Sequence, residues 1–124
     1  MCTETDASTR DWLRSPRISL LAWWVPHAAI VVGLFVAVPV RAAIWTVALI
    51  WMGVACILNA RQCGRTHCRY TGPYYLAMIA PVLLFAVGMG SAGFFAWLIL
   101  GVLILAGSRI IWWATEYALG KFSL

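Results

Sequence analysis

Three of the chain's four cysteines and one of its two histidines fall between Cys56 and Cys68. Thiolate and imidazole together select soft or borderline ions, here Hg²⁺, Cu⁺ or Zn²⁺. Arg61, Arg65 and Arg69 lie among these residues and favour the thiolate, the form that binds metal. Cys56, Asn59, Cys63 and His67 are spaced by three, four and four residues. A helix running through all of them would set them on one stripe. A helix stopping at Gly64 would instead make the segment from Cys63 to Cys68 a tight loop, folding two sulfurs and one imidazole around a single ion. In both cases Cys63, His67 and Cys68 are the expected ligands, and Cys56, about two turns deeper, is the expected relay. The spacing is not a pair of CxxC knuckles, so a structural zinc ribbon is poorly supported. Against the ligand reading, a cysteine within a membrane helix is usually a small packing residue, and the arginines serve equally well as topology markers or lipid-headgroup contacts.

Other polar residues stand in otherwise apolar sequence. Arg109 and Glu116 are seven residues apart, on one face of a helix. An arginine within a membrane faces a bundle interior or a watery cavity, with Glu116 as its expected partner, or it snorkels to the headgroups. His27 follows Pro26 and is expected either to ligate a metal or relay protons, or to bond a carbonyl that the proline releases. It is the only histidine expected inside the membrane. Cys2 sits in a polar tail whose placement the sequence does not fix. There is no Ser-His-Asp grouping, no paired carboxylate set, no phosphate-binding glycine loop and no metalloprotease helix, so an enzyme is not expected.

The elements that would position these groups follow from composition. Of 124 residues, 64% are hydrophobic and 10% charged, with a mean hydropathy of +0.89. A soluble domain is about half apolar and about a quarter charged, so lipid must be the solvent for most of this chain. A spanning helix takes about 20 apolar residues. The expected architecture is all-α: an integral membrane four-helix bundle made of two antiparallel transmembrane hairpins, forming one domain over residues 1–124. A short polar tail covers 1–17, and the spans are expected at about 18–40, 43–62, 73–87 and 94–117. Pro39 and Arg41 are read as ending the first span. Thr71, Gly72 and Pro73 are read as the cap and first position of the third, and Pro81 as a kink within it. The first apolar run is longer than a secretory signal's and lacks a cleavage site, so it is read as a retained span.

The net charge of +5 does not point to nucleic acid, because the cations sit at the ends of apolar runs. With the N-terminus inside, Arg10, Arg14, Arg17, Arg61, Arg65, Arg69 and Lys121 share one side, and Arg41 alone takes the other. That bias predicts an inner-membrane, multi-pass protein with both termini and the Cys/His segment cytoplasmic, where thiols stay reduced.

Cys63-Gly-Arg-Thr-His-Cys68 followed by Thr71-Gly-Pro73 resembles a pattern in small uncharacterised bacterial and archaeal membrane proteins, and that resemblance brings no activity with it. In architecture only, the chain is similar to the small mercuric-ion uptake membrane proteins of mercury-resistance operons. That resemblance implies passage of Hg²⁺ between cysteines, with Cys56 as the membrane thiol and Cys63 and Cys68 as the cytoplasmic pair. Span one, however, carries no cysteine. The leading expectation is a membrane protein that binds or translocates a soft metal ion. The rivals are a non-enzymatic accessory subunit of a larger membrane complex and a thiol redox sensor in which Cys63 and Cys68 form a disulfide. Expected partners are the lipid bilayer and either further copies of the chain or membrane-complex subunits. No cofactor other than the soft metal ion is expected.

Overall fold

The computed structural model describes residues 16–63, 66–88 and 93–120, leaving aside the side chains of Gln62 and Cys63. All regular elements among the described residues are helical. A short helix α1 (Pro16–Ser19) runs through a π-helical stretch (Leu20–Trp24) into α2 (Val25–Gly33). Then come α3 (Val38–Cys63), α4 (Thr66–Ala77), α5 (Ile79–Ala86) and α6 (Phe94–Leu119). Residues 1–15 of the expected tail, Cys2 among them, lie outside the described residues, as do Gly64, Arg65, Lys121 and the Cys63 side chain; Pro16 and Arg17, expected in the tail, open helix α1 instead.

Prolines explain the irregular points. Pro26 has no N–H to offer the preceding turn and its ring crowds the carbonyl four residues back; the π-helical stretch ends two residues before it. Pro81 acts in the same way on Ala77, and the break between α4 and α5 falls at Met78. Pro39 lies in the first turn of α3, where a missing N–H is harmless. It therefore opens the second long helix rather than closing the first run. Pro73 is the reverse case. It lies inside α4, which has already begun at Thr66, rather than at a helix start.

At 26 residues each, α3 and α6 extend about 39 Å, more than the ~30 Å hydrocarbon core of a bilayer. Both are apolar enough to cross one. On α6 the buried residues Trp97, Leu100, Gly101, Ile104 and Ser108 recur at helical spacing. The face left outside carries Ile99, Val102, Leu103, Ile110 and Trp113 exposed, with Arg109 beside them. A monomeric soluble protein rarely presents such a surface to water.

α3 is the central element and packs against α2, α4 and α5, while α6 packs chiefly on α4. Where α3 crosses α4, Gly53 and Gly72 let the two backbones approach: a Cβ on Gly72 would lie 2.8 Å from Ile57 Cγ1, 3.3 Å from Gly53 O and 3.4 Å from Cys56 Cβ. Small residues at a crossing are how membrane helices pack closely. One turn from this crossing stand Cys56 on α3 and Cys68 on α4, so the glycine contact sets the thiols face to face.

The other end of α3 holds the aromatic core. Trp45 and Trp97 meet edge to face with centroids 5.3 Å apart, and Phe85 packs on Trp97 at 5.6 Å. Trp45 Nε1 donates to Ile30 O at 3.0 Å. Arg41, read in the sequence as a lone cation on the far membrane side, is 7% exposed. Its Nε donates to Gly33 O at 3.2 Å, and its Nη2 to Leu34 O at 2.8 Å and Val36 O at 3.0 Å. It caps the C-terminal end of α2, where carbonyls lack partners and the helix dipole favours a cation.

Candidate functional site

Cys56 and Asn59 lie on one face of α3, and Cys68 and Thr71 on one face of α4. Each pair is spaced i, i+3, the neighbouring positions of a helix surface, and the two pairs meet. Cys56 is 1% and Cys68 0% exposed, neither is in a disulfide, and the two thiols lie within hydrogen-bonding reach of each other. N–H groups aim at both sulfurs: Trp23 Nε1 at Cys56 Sγ over 3.3 Å, and Asn59 Nδ2 at Cys68 Sγ over 3.5 Å. Thr71 Oγ1 donates to His67 O at 2.8 Å and lies 3.5 Å from Cys56 Sγ.

His67 is 3% exposed and held on two sides. Its ring stacks on Trp112 of α6, with centroids 4.2 Å apart and planes 15° from parallel. Its Nδ1 donates to Glu116 Oε1 at 2.8 Å. With the proton on Nδ1, the lone pair is on Nε2, which stands 3.3 Å from Cys68 Sγ. A carboxylate on the far nitrogen is the usual support of a metal-ligating histidine, because it fixes the tautomer and raises the basicity of the ligating atom.

The arrangement departs from both geometries expected from the sequence. α3 (to Cys63) and α4 (from Thr66) pack side by side, so Cys56, Asn59 and His67 do not share one helical stripe. His67 and Cys68 are not in a loop either; they open α4 and are buried between helices. The thiol that meets Cys68 is Cys56, and the part Cys63 plays lies outside the described residues. Glu116, offered in the sequence to Arg109, holds His67. Arg109 is exposed on α6, its guanidinium 5.2 Å from the centre of the Trp112 ring. Trp23, Thr71 and Trp112 were not singled out as site residues. The i, i+3 match of Cys56 and Asn59 with Cys68 and Thr71 was the available signal, legible only once two helices are set against each other.

His27 bonds through Nδ1 to Trp23 O at 2.5 Å, the carbonyl option foreseen for it. It also lines a cavity of about 100 Å³ together with Cys56, His67, Tyr75, Ser108 and Arg109. His67 is buried and lines it too, so both histidines line this one cavity. Among the described residues, no three His, Cys, Asp or Glu side chains form a group arranged to hold a metal ion; the donors meet in pairs.

No family model matches the chain, and no match was found among curated proteins or solved structures.

Proposed function

We propose that the chain is a multi-pass inner-membrane protein that binds a soft metal ion between Cys56 and Cys68 and passes it through the bundle. In this reading α1 with α2, α3, α4 with α5, and α6 are four spans forming two antiparallel hairpins, with both termini cytoplasmic. The length of α3 and α6, the apolar outer surface and the clustering of cations support it. The observation that carries the metal reading is His67: a carboxylate-supported imidazole whose lone-pair nitrogen stands against one of two touching thiols. N–H groups directed at the sulfurs would stabilise charged metal-bound thiolates through charge-assisted hydrogen bonds. Because donors meet in pairs rather than fours, the site suits Hg²⁺ or Cu⁺, which accept two sulfurs, better than tetrahedral zinc.

The test is a titration of purified protein in nanodiscs with Cu⁺, held in a competing chelator under reducing conditions. One tightly held ion per chain, lost in Cys56→Ser and held far more weakly in Cys68→Ser, is the expected result. Absence of stoichiometric Cu⁺ and Hg²⁺ binding would defeat the proposal.

A second reading, a thiol redox sensor, is favoured by the contact between Cys56 and Cys68. Closing that disulfide would transfer two electrons to an oxidant and release two protons. Reversible loss of two titratable thiols on oxidation, in protein that binds no metal, would select it.

A further inference from the structure

Three buried side-chain atoms among the described residues have no hydrogen-bond partner: His27 Nε2, Thr46 Oγ1 and Trp97 Nε1. Two of them, a hydroxyl and an indole N–H, are poor ligands for a soft ion. The third is an imidazole nitrogen. His27 Nδ1–H is committed to Trp23 O at 2.5 Å, which fixes the tautomer and leaves the lone pair on Nε2. A backbone carbonyl on Nδ1 orients a ligating histidine in the same way as a carboxylate does. Both histidines of the chain are therefore held by Nδ1, one by Glu116 and one by Trp23.

Position adds to this. Trp23 touches both His27, through its carbonyl, and Cys56, through Nε1 at 3.3 Å. His27 and Cys56 line the same cavity of about 100 Å³, ample for one dehydrated ion. Cys68 is wholly buried and is not among the residues lining that cavity. An ion in the cavity meets Cys56 before Cys68.

Resting on the soft-metal reading, we infer that His27 Nε2 and Cys56 Sγ form a second station for the ion, reached through the cavity. Cys56 is the ligand common to both stations. The ion moves between His27–Cys56 and Cys56–Cys68 by exchanging one donor at a time: the bond to His27 Nε2 breaks as the bond to Cys68 Sγ forms, with no change in oxidation state. A hydrated cation never crosses the apolar interior.

The test removes the deeper thiol and asks which imidazole takes over. In a Cys68→Ser background, full-length protein in nanodiscs is titrated with Cu⁺, with and without His27→Gln and with and without His67→Gln. Glutamine at 27 can still donate to Trp23 O, so it preserves the local fold. The expected result is that Cys68→Ser retains a weaker Cu⁺ site and that adding His27→Gln lowers its affinity at least about tenfold. Adding His67→Gln should change it far less. With Cys68 intact, His27→Gln should keep one Cu⁺ per chain but slow Cu⁺ entry into proteoliposomes. Indifference of the Cys68→Ser site to His27, or its dependence on His67 instead, would overturn the second station while leaving the Cys56–Cys68 reading standing. A wild-type protein that binds no Cu⁺ would remove both.

Discussion

The two ends of α3 bury polar groups in opposite ways. At the Trp45 end, a full positive charge is enclosed, and Arg41 directs its N–H groups to three carbonyls of the α2 terminus and the turn after it. Its guanidinium also lies 5.1 Å from the centre of the Trp97 ring. At the Cys56 end the buried groups are mostly neutral and more numerous. Their hydrogen bonds reach the two sulfurs and hold the two imidazoles, with backbone carbonyls serving at Trp23 and His67, and a cavity remains beside them. Arg41 closes a helix end; the thiol cluster orients lone pairs toward each other and toward a space. Burial of a polar group is therefore not the mark of a site in this molecule. What sets the thiol end apart, and supports the proposed site there, is that its N–H donors are directed at sulfur and its imidazoles are held through Nδ1.

The comparison can be broken in steps. Arg41→Ala should cost about 3 kcal/mol of stability, since three carbonyls lose a charged donor. A denaturation midpoint in detergent would show this, and Cu⁺ stoichiometry of the folded fraction should be unchanged. Cys68→Ser should do the reverse: a loss of Cu⁺ affinity of about hundredfold, or about 2.8 kcal/mol, with a midpoint near wild type. If both variants lowered stability and binding alike, the two ends would not be distinct in kind. Gly72→Val should affect both at once, because its side chain would push against Ile57 and Cys56. A loss of about 2 kcal/mol in stability should accompany weaker Cu⁺ binding, and thiol cross-linking between Cys56 and Cys68 should slow.

Much of the helical plan was legible in the sequence. The run expected at 94–117 is α6, and Pro26 and Pro81 lie beside the irregularities foreseen for them. The misplaced boundaries share a cause. Arg41 follows an apolar run and reads as a membrane border, but its partners are carbonyls five to eight residues back. Thr71-Gly-Pro73 has the text of a helix start, yet Gly72 is needed for the close approach to Gly53, inside a helix already under way. Composition and periodicity report what a segment is made of; they do not report which helix it will touch. For the same reason Cys56, Asn59, His67 and Cys68 were recognised individually while the pairing of Cys56 with Cys68, and of His67 with Glu116, was not.

Two smaller perturbations sharpen the account. Glu116→Gln leaves His67 stacked on Trp112 but removes the charged partner of Nδ1. It should weaken Cu⁺ binding by about tenfold with little effect on stability, as a chelator competition would measure. Arg109→Gln removes an exposed cation over Trp112 and should cost less than about 1 kcal/mol, with Cu⁺ affinity at the Cys56–Cys68 pair unaltered.

The most direct measurement is copper-edge X-ray absorption on Cu⁺-loaded protein, wild type beside Cys56→Ser, Cys63→Ser and Cys68→Ser. A first shell holding two sulfurs that survives in Cys63→Ser, and falls to one sulfur or none in Cys56→Ser and in Cys68→Ser, is the predicted result. A sulfur shell that persists in Cys56→Ser and vanishes in Cys63→Ser, or a shell of oxygen and nitrogen alone, would contradict it.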